Sequence, residues 1–241
     1  MAPIELSITI AAYREAENLA VMLPSIKAAA AALTPDFEVL VVDTQEPMDD
    51  TAAICAAHGV RHVQRVGGNS YGDAVRTIIA ETRGTYILNM DADGSHSPEY
   101  FAPMWAERER YSITIGSRYA PGGHTDNPAV LIWMSYVVNL TFRAAFSIRA
   151  KDVTNSFRLY RRDILTPLKL ESNDFDILEE ILIKTVLRRP PATIGEVPVT
   201  FNRRKAGESK RKLGQFALGY LKTLKRLRSF AKAAKRENQI Q

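Results

Sequence analysis

The sequence predicts an α/β fold, a mainly parallel sheet with helices on both faces, followed by a basic amphipathic helix at the C-terminus. Three observations predict it. Short apolar runs alternate with helix-length segments along the first half of the chain, the order that builds parallel sheets through crossover helices. Carboxylates stand where two of those runs end, Asp43 after "EVLVV" and Asp91 to Asp93 after "TYILNM", and ligands of such sheets gather at the carboxyl ends of strands. Apolar residues then recur every three or four positions from Lys212 to Arg236, with basic residues mostly between them.

Each element has its own local reason. "LSITIAAY" reads as a strand, and a helix follows from about Ala16 to Leu33, closed by Pro35. "EVLVVD" is the second strand. "DDTAAICAAHG" is a helix that Asp49 or Asp50 can cap and Gly59 can end. The alternation continues through "RHVQRV", a helix over "GDAVRTIIAETRG", the strand "TYILNM", a helix opened by "SPEY" and the strand "YSITIG". Ser97 can cap that helix, and Pro98 suits its first position, where a missing N–H costs nothing. Beyond Gly116 come a turn-rich connection, an apolar helix over residues 129–147, a strand around Phe157 to Tyr160, a helix over "FDILEEILIKTVLRR" and an extended "PATIGEVPVTFNRR". With no internal repeat and no low-complexity linker, the chain reads as one domain over residues 1–211 and a basic helical tail over 212–241.

The 46% hydrophobic and 24% charged content fits an ordinary globular protein. The single cysteine, Cys55, excludes an intrachain disulfide and a cysteine-based metal site, and favours a reducing, cytoplasmic setting. The stretch "AVLIWMSYVVNLTF" falls short of the roughly 20 apolar residues of a membrane span, and the N-terminal residues do not read as a signal peptide. Charge is segregated: residues 1–120 hold 9 basic against 16 acidic side chains, and residues 121–241 hold 23 against 11. An acidic half suits a metal ion, and a basic half suits phosphates or an anionic surface. The apolar face of the C-terminal helix has two readings, packing on the body of the protein or lying on an anionic membrane.

In an extended segment residues i and i+2 point the same way, so Asp91 and Asp93 can converge on one ion. Two carboxylates without thiols or clustered imidazoles favour Mg2+ or Mn2+ over zinc. Arg204 and Lys210, on either side of Gly207, supply a basic clamp for a diphosphate, Arg by forked hydrogen bonds and Lys as a point charge.

The ordered segments "SITIAAYREAENL", "EVLVVD", "MDADGSHSPE", "GSRYAPGG", "DVTNSFRLYRR" and "EVPVTFNRRKAGESK" closely resemble the inverting family 2 glycosyltransferases of GT-A, Rossmann-like fold. Within them the chain is similar to the polyprenyl- and dolichyl-phosphate hexosyltransferases, up to about Lys210. The resemblance implies a nucleotide-sugar donor, GDP-mannose or a UDP-hexose, whose diphosphate is bridged by Mg2+ or Mn2+ at Asp91 and Asp93, with a backbone contact at Ala92. Ser95 stands where relatives often place a Gln ligand. Ala11, Tyr13 and Glu15 match nucleotide contacts of the first strand, although Ala11 replaces a Pro and Arg14 an Asn. Val42, Asp43 and Thr44 match the base-recognition edge, where Thr44 replaces a second Asp and the turn is one residue longer. Arg118, Arg204 and Lys210 match phosphate-binding positions.

The expected acceptor is a lipid phosphate, with Ser135 and Arg118 on its side of the site. Such an acceptor is already ionised and needs no strong base, whereas a hydroxyl acceptor needs a carboxylate, for which Asp152 is the candidate. Asn155 and Ser156 stand where relatives have Ser-Gly. Relatives also carry arginines where this chain has Leu131, Ile132 and Tyr136, a loss for which Arg143, Arg158, Arg161 or Arg162 can compensate. The expected partners are therefore a nucleotide sugar, a lipid phosphate and an anionic membrane surface at its cytoplasmic face, with no nucleic acid. Two other readings stay open: a transferase acting on a sugar hydroxyl, and a catalytically weakened nucleotide-binding or membrane-adaptor relative.

Overall fold

The structure, a computed structural model, describes residues 3–202 and 213–240, with the side chains of the last helix described over 219–233. Strands β1 (Leu6–Ala11), β2 (Phe37–Asp43), β3 (Arg61–Gln64) and β4 (Tyr86–Asp91) alternate with helices α1 (Ala16–Ala31), α2 (Thr51–Ala57) and α3 (Tyr71–Glu81). A 3₁₀ turn (Pro98–Tyr100) leads into α4 (Phe101–Ala106), β5 (Ile113–Ser117), β6 (His124–Thr125) and α5 (Ala129–Phe146). The rest comprises β7 (Arg158–Arg161), α6 (Arg162–Leu165), α7 (Ile177–Val186), β8 (Ile194–Pro198), β9 (Thr200–Phe201) and α8 (Leu213–Ile240).

Seven strands form one sheet in the order β3-β2-β1-β4-β7-β5-β8, and β6 pairs with β9 beside it. All neighbours in the large sheet run parallel except β7, which lies antiparallel between β4 and β5. That inversion positions the site. An antiparallel strand begins where its parallel neighbours end, so the residues just before β7 emerge at the carboxyl ends of β4 and β5.

Alternation along the strands feeds two cores. Val39 and Val41 of β2 join Ile8 and Ile10 of β1 beneath α1 and α4, whereas Leu40 and Val42 face α3 and the α5–α7 layer. Both faces are buried, which is why the strands read as apolar runs. Each buried Leu or Ile contributes about 1.5–3 kcal/mol.

The helix ends carry the expected chemistry with one change. Ser70 and Asp73 form a reciprocal capping box on α3, and Ser97 caps the turn opened by Pro98. Gly59 takes a positive φ of 61° after α2. Asp50 makes no side-chain cap. Instead Asp49 accepts from Thr51 N at 3.0 Å and from Ala16 N at 2.9 Å, tying the starts of α2 and α1 together. Cys55 is fully buried, and burial, with Asp43 and Asp49 nearby, pushes its thiol up to about 11, so it is inert.

The C-terminal helix packs. Tyr220, Thr223, Leu224 and Leu227 are buried, with the Tyr220 ring edge-on to Phe142 of α5 and Thr223 bonded to Asp176 beside α7. Over the described side chains, this part of its apolar face thus packs on the body of the protein, while Leu221 and Phe230 stay exposed.

Candidate active site

Strand register assembles the floor. Ala11 pairs with Val42 on one side and Asp91 on the other, which sets three predicted site residues in a row at the carboxyl edge. Tyr13 and Glu15 follow in the β1–α1 loop, where Arg14 takes a left-handed φ of 58°, a conformation that Asn adopts more easily. At the β2 tip Asp43 is buried. It accepts from Thr44 N at 2.7 Å, and its other oxygen lies 3.3 Å from His62 Nε2. Thr44 is also buried and donates its hydroxyl to the Glu46 carbonyl at 2.7 Å. The Thr44 hydroxyl is thus spent on shaping its own turn, and His62 is the residue that stands with Asp43 at this edge.

The carboxylate loop is braced from the strand opposite. Asp91 accepts from Ser156 Oγ at 2.8 Å, and Asp91 N donates to His96 Nδ1 at 3.0 Å. That leaves the His96 proton on Nε2, 3.2 Å from Asn155 Oδ1. Asn155 in turn donates to the Gly116 carbonyl, and the His96 ring stacks on Phe157 at 4.7 Å. Both imidazole nitrogens are occupied, so His96 holds the loop and is no metal ligand. Asp93 accepts from Ser95 N at 3.0 Å and from Ser95 Oγ at 2.6 Å. Ser95 is fully buried behind it, a brace on Asp93 where the resemblance implied a ligand.

No cluster of three or more His, Cys, Asp or Glu side chains suited to a metal occurs among the described residues. The donor set is two fixed carboxylates, which suits a hard cation that completes its shell with water and substrate phosphates, the usual habit of Mg2+. The residues fit such an ion.

The second half of the site is an ion pair. Asp152, fully buried, accepts from Arg118 N at 3.0 Å and Nε at 2.8 Å on one oxygen, and from Nη2 at 2.7 Å on the other. Arg118 Nη2 also reaches Thr154 Oγ1 at 2.7 Å and Ser135 Oγ at 3.2 Å, and Ser135 lies 3.0 Å from Thr154. Behind the pair, Glu196 accepts from the N–H groups of Lys151 and Asp152. Burial works to raise the Asp152 carboxyl, but the charge and hydrogen bonds of Arg118 outweigh it and hold the carboxyl below its ordinary value. Burial likewise works to lower Arg118, and Asp152 reverses it, leaving the guanidinium above its ordinary value. A carboxylate so engaged is a poor proton acceptor, which removes the ground for reading Asp152 as a general base. Arg118 Nη1 has no hydrogen-bond partner among the described residues.

Phe201 joins the two halves, its ring 5.3 Å from His96 and 5.4 Å from the Arg118 guanidinium carbon. Arg204 and Lys210 lie outside the described residues; Asn202, just before them, donates to the Ser95 carbonyl at 3.1 Å. Of the compensating arginines, Arg158 is fully buried and donates to the carbonyls of Asn155, Val153 and Leu178. Arg161 pairs with Asp163 and is opposite Tyr86, at the far end of β4 from Asp91. Neither can meet an acceptor here. The reading of residues missed His62, His96, Thr154 and the bracing roles of Asn155 and Ser156. The one signal for the last two was their departure from the Ser-Gly of relatives.

Residues 7–168 match the model of glycosyl transferase family 2. The chain belongs to that family. As a family 2 glycosyltransferase it is 30% identical to the dolichol-phosphate mannosyltransferase of Saccharomyces cerevisiae, over 94% of this chain and 88% of that protein. It is 32% identical to the undecaprenyl-phosphate mannosyltransferase of Micrococcus luteus, over 83% and 85% of the two chains. The transferase's fold is also that of glucosyl-3-phosphoglycerate synthase from Mycobacterium tuberculosis, solved with Mn2+, UDP-glucose and phosphoglyceric acid. The two share 18% identity and a TM-score of 0.71 over 95% of this chain and 81% of that one. The sheet with its inverted β7 is thus a GT-A fold, with Val42, Ala11 and Asp91 side by side at the carboxyl ends of their strands.

Proposed function

We propose that this glycosyltransferase moves a hexose, mannose in the first instance, from a nucleotide sugar to a polyprenyl phosphate. The observation that carries it is the Arg118–Asp152 pair. It presents a fixed cation whose Nη1 has no partner among the described residues, and it ties up Asp152, the carboxylate that was the candidate base. A hydroxyl acceptor would need such a base, whereas a phosphate monoester needs a cation to hold it. The names of the yeast and Micrococcus relatives, both polyprenyl-phosphate mannosyltransferases, support the same acceptor and sugar.

Asp91 and Asp93 would hold Mg2+ or Mn2+, which supplies neutralisation of the charge that develops on the departing nucleoside diphosphate. Arg204 and Lys210 add charge to the same leaving group, and Asp43 with His62 meets the base. Arg118 aligns the acceptor so that a phosphate oxygen attacks the anomeric carbon as the bond to the diphosphate breaks on the opposite face, inverting the configuration. Asp152 acts by positioning Arg118. The lipid tail of the acceptor confines the reaction to a membrane surface.

Incubation with a panel of GDP- and UDP-sugars and a short-chain polyprenyl phosphate tests this. A sugar-phosphate lipid should form with Mn2+ and disappear with chelator. Donor hydrolysis alone would contradict the reading.

A further inference from the structure

The segment from Asp152 to Ser156 lies in no strand or helix, yet its side chains serve both halves of the site. Asp152 and Thr154 hold Arg118, Thr154 also meets Ser135, Asn155 holds His96, and Ser156 holds Asp91. A buried segment outside the ladders must find other donors for its carbonyls. Those of Val153 and Asn155 find them in one side chain behind the loop. Arg158 donates from Nη2 to the Val153 carbonyl and from Nε to the Asn155 carbonyl, each at 2.7 Å. Its Nη1 donates to the Leu178 carbonyl in the first turn of α7 at 2.9 Å, with the Tyr160 hydroxyl at 3.4 Å.

Arg158 is 0% exposed. Burying a guanidinium is costly, and an apolar side chain of similar volume would fill the same space without that cost. Packing alone therefore does not account for an arginine here. Its shape does: a planar guanidinium sends N–H groups in fixed, divergent directions and reaches three carbonyls on two elements, whereas an ammonium offers a single nitrogen.

We propose that Arg158 is a positioning residue for both halves of the site at once. By holding the back of the 152–156 loop against α7, it sets Ser156 against Asp91 at one end and Asp152 with Thr154 against Arg118 at the other. It touches no reacting group itself. Removing one of the forward-facing side chains disturbs one half of the site, whereas loosening the guanidinium behind them disturbs both together. The inference rests on the reading of Asp91 as a metal carboxylate and Arg118 as the cation for the acceptor phosphate.

Calorimetry on the full-length protein tests it by measuring two affinities, for Mn2+ in the presence of GDP and for a short-chain polyprenyl phosphate. Arg158→Lys should weaken both by about tenfold or more. Ser156→Ala should weaken Mn2+ alone, and Thr154→Val the phosphate alone. Adding Ser156→Ala to Arg158→Lys should weaken Mn2+ little further, because the lysine variant has already lost that brace. Ile26→Ala, in the core beneath α1, is the control for stability: it should lower the melting temperature and leave both affinities unchanged. Should the lysine variant fail to fold, Arg158→Gln, which drops the buried charge and keeps an N–H donor, should show the same paired loss. Wild-type affinities in a folded Arg158 variant, a loss confined to one ligand, or an equal loss in Ile26→Ala would overturn the inference. Wild-type protein that binds neither ligand would instead overturn the reading of the site beneath it.

Discussion

Asp152 and Arg118 are buried together, so each is expensive to remove alone. Asp152→Asn should cost about 3–5 kcal/mol in urea unfolding, the range for breaking a buried ion pair, and should lower turnover by misplacing the guanidinium. Ser156 acts one step from the metal site. Ser156→Ala frees Asp91 from its 2.8 Å hydrogen bond and should weaken Mn2+ affinity about 10–100-fold, measured by calorimetry with a nucleoside diphosphate, with little change in melting temperature. Glu179 gives a pH signature. Burial, reinforced by Asp176, pushes its carboxyl up to about 8, above the unfolded value of 4.5. The folded state therefore holds that proton more tightly, and its contribution is complete below pH 4.5 and lost as pH rises to about 8, by up to about 1.4 kcal/mol per pH unit. Asp152, held below its ordinary value, loses its contribution in the opposite direction, as pH falls below 3.8. Glu179→Gln should raise the melting temperature at pH 8 and leave it nearly unchanged at pH 4. Asp43 and Asp91 were legible because they close the apolar strands β2 and β4, and Asp93 because it comes two residues after Asp91. The Ser156 and Asn155 braces were not, because they reach Asp91 and His96 from 65 and 59 residues away.

Elements bring those distant residues together, and the packing of α3 shows how tightly. Gly72, the second residue of α3, donates its N–H to the Asn173 carbonyl at 2.7 Å, and a Cβ there would sit 2.2 Å from the Ser172 carbonyl oxygen. Alanine would gain about 1 kcal/mol of helix propensity, but overpacking against backbone costs about 1–3 kcal/mol. Gly72→Ala should therefore lower the melting temperature. An unchanged or higher value would mean that the loop over residues 172–173 moves freely. The alternation of strands and helices was readable from periodicity alone, and β1 to β5 form where expected. The direction of β7 was not readable, since a short apolar run looks the same pointing either way. The same limit applied to α8: its amphipathic period was plain, but not which neighbour its apolar face would meet.

At the scale of the molecule, charge and topology converge on one edge. The first half supplies the carboxylates at the ends of β2 and β4 and Arg118 after β5, and the second half supplies Ser135, Asp152 and Thr154 around Arg118 and Ser156 on Asp91. The inverted β7 brings the two halves to one place by starting at the carboxyl ends of β4 and β5. This account gives the molecule one acceptor class, an anion that needs a fixed cation and no base. The most direct measurement offers both classes at once: labelled donor with Mn2+ and equal amounts of a short-chain polyprenyl phosphate and the corresponding polyprenol, products resolved by chromatography. The account predicts label in the phosphate-linked lipid and none on the alcohol. Label on the alcohol at a comparable rate would contradict it.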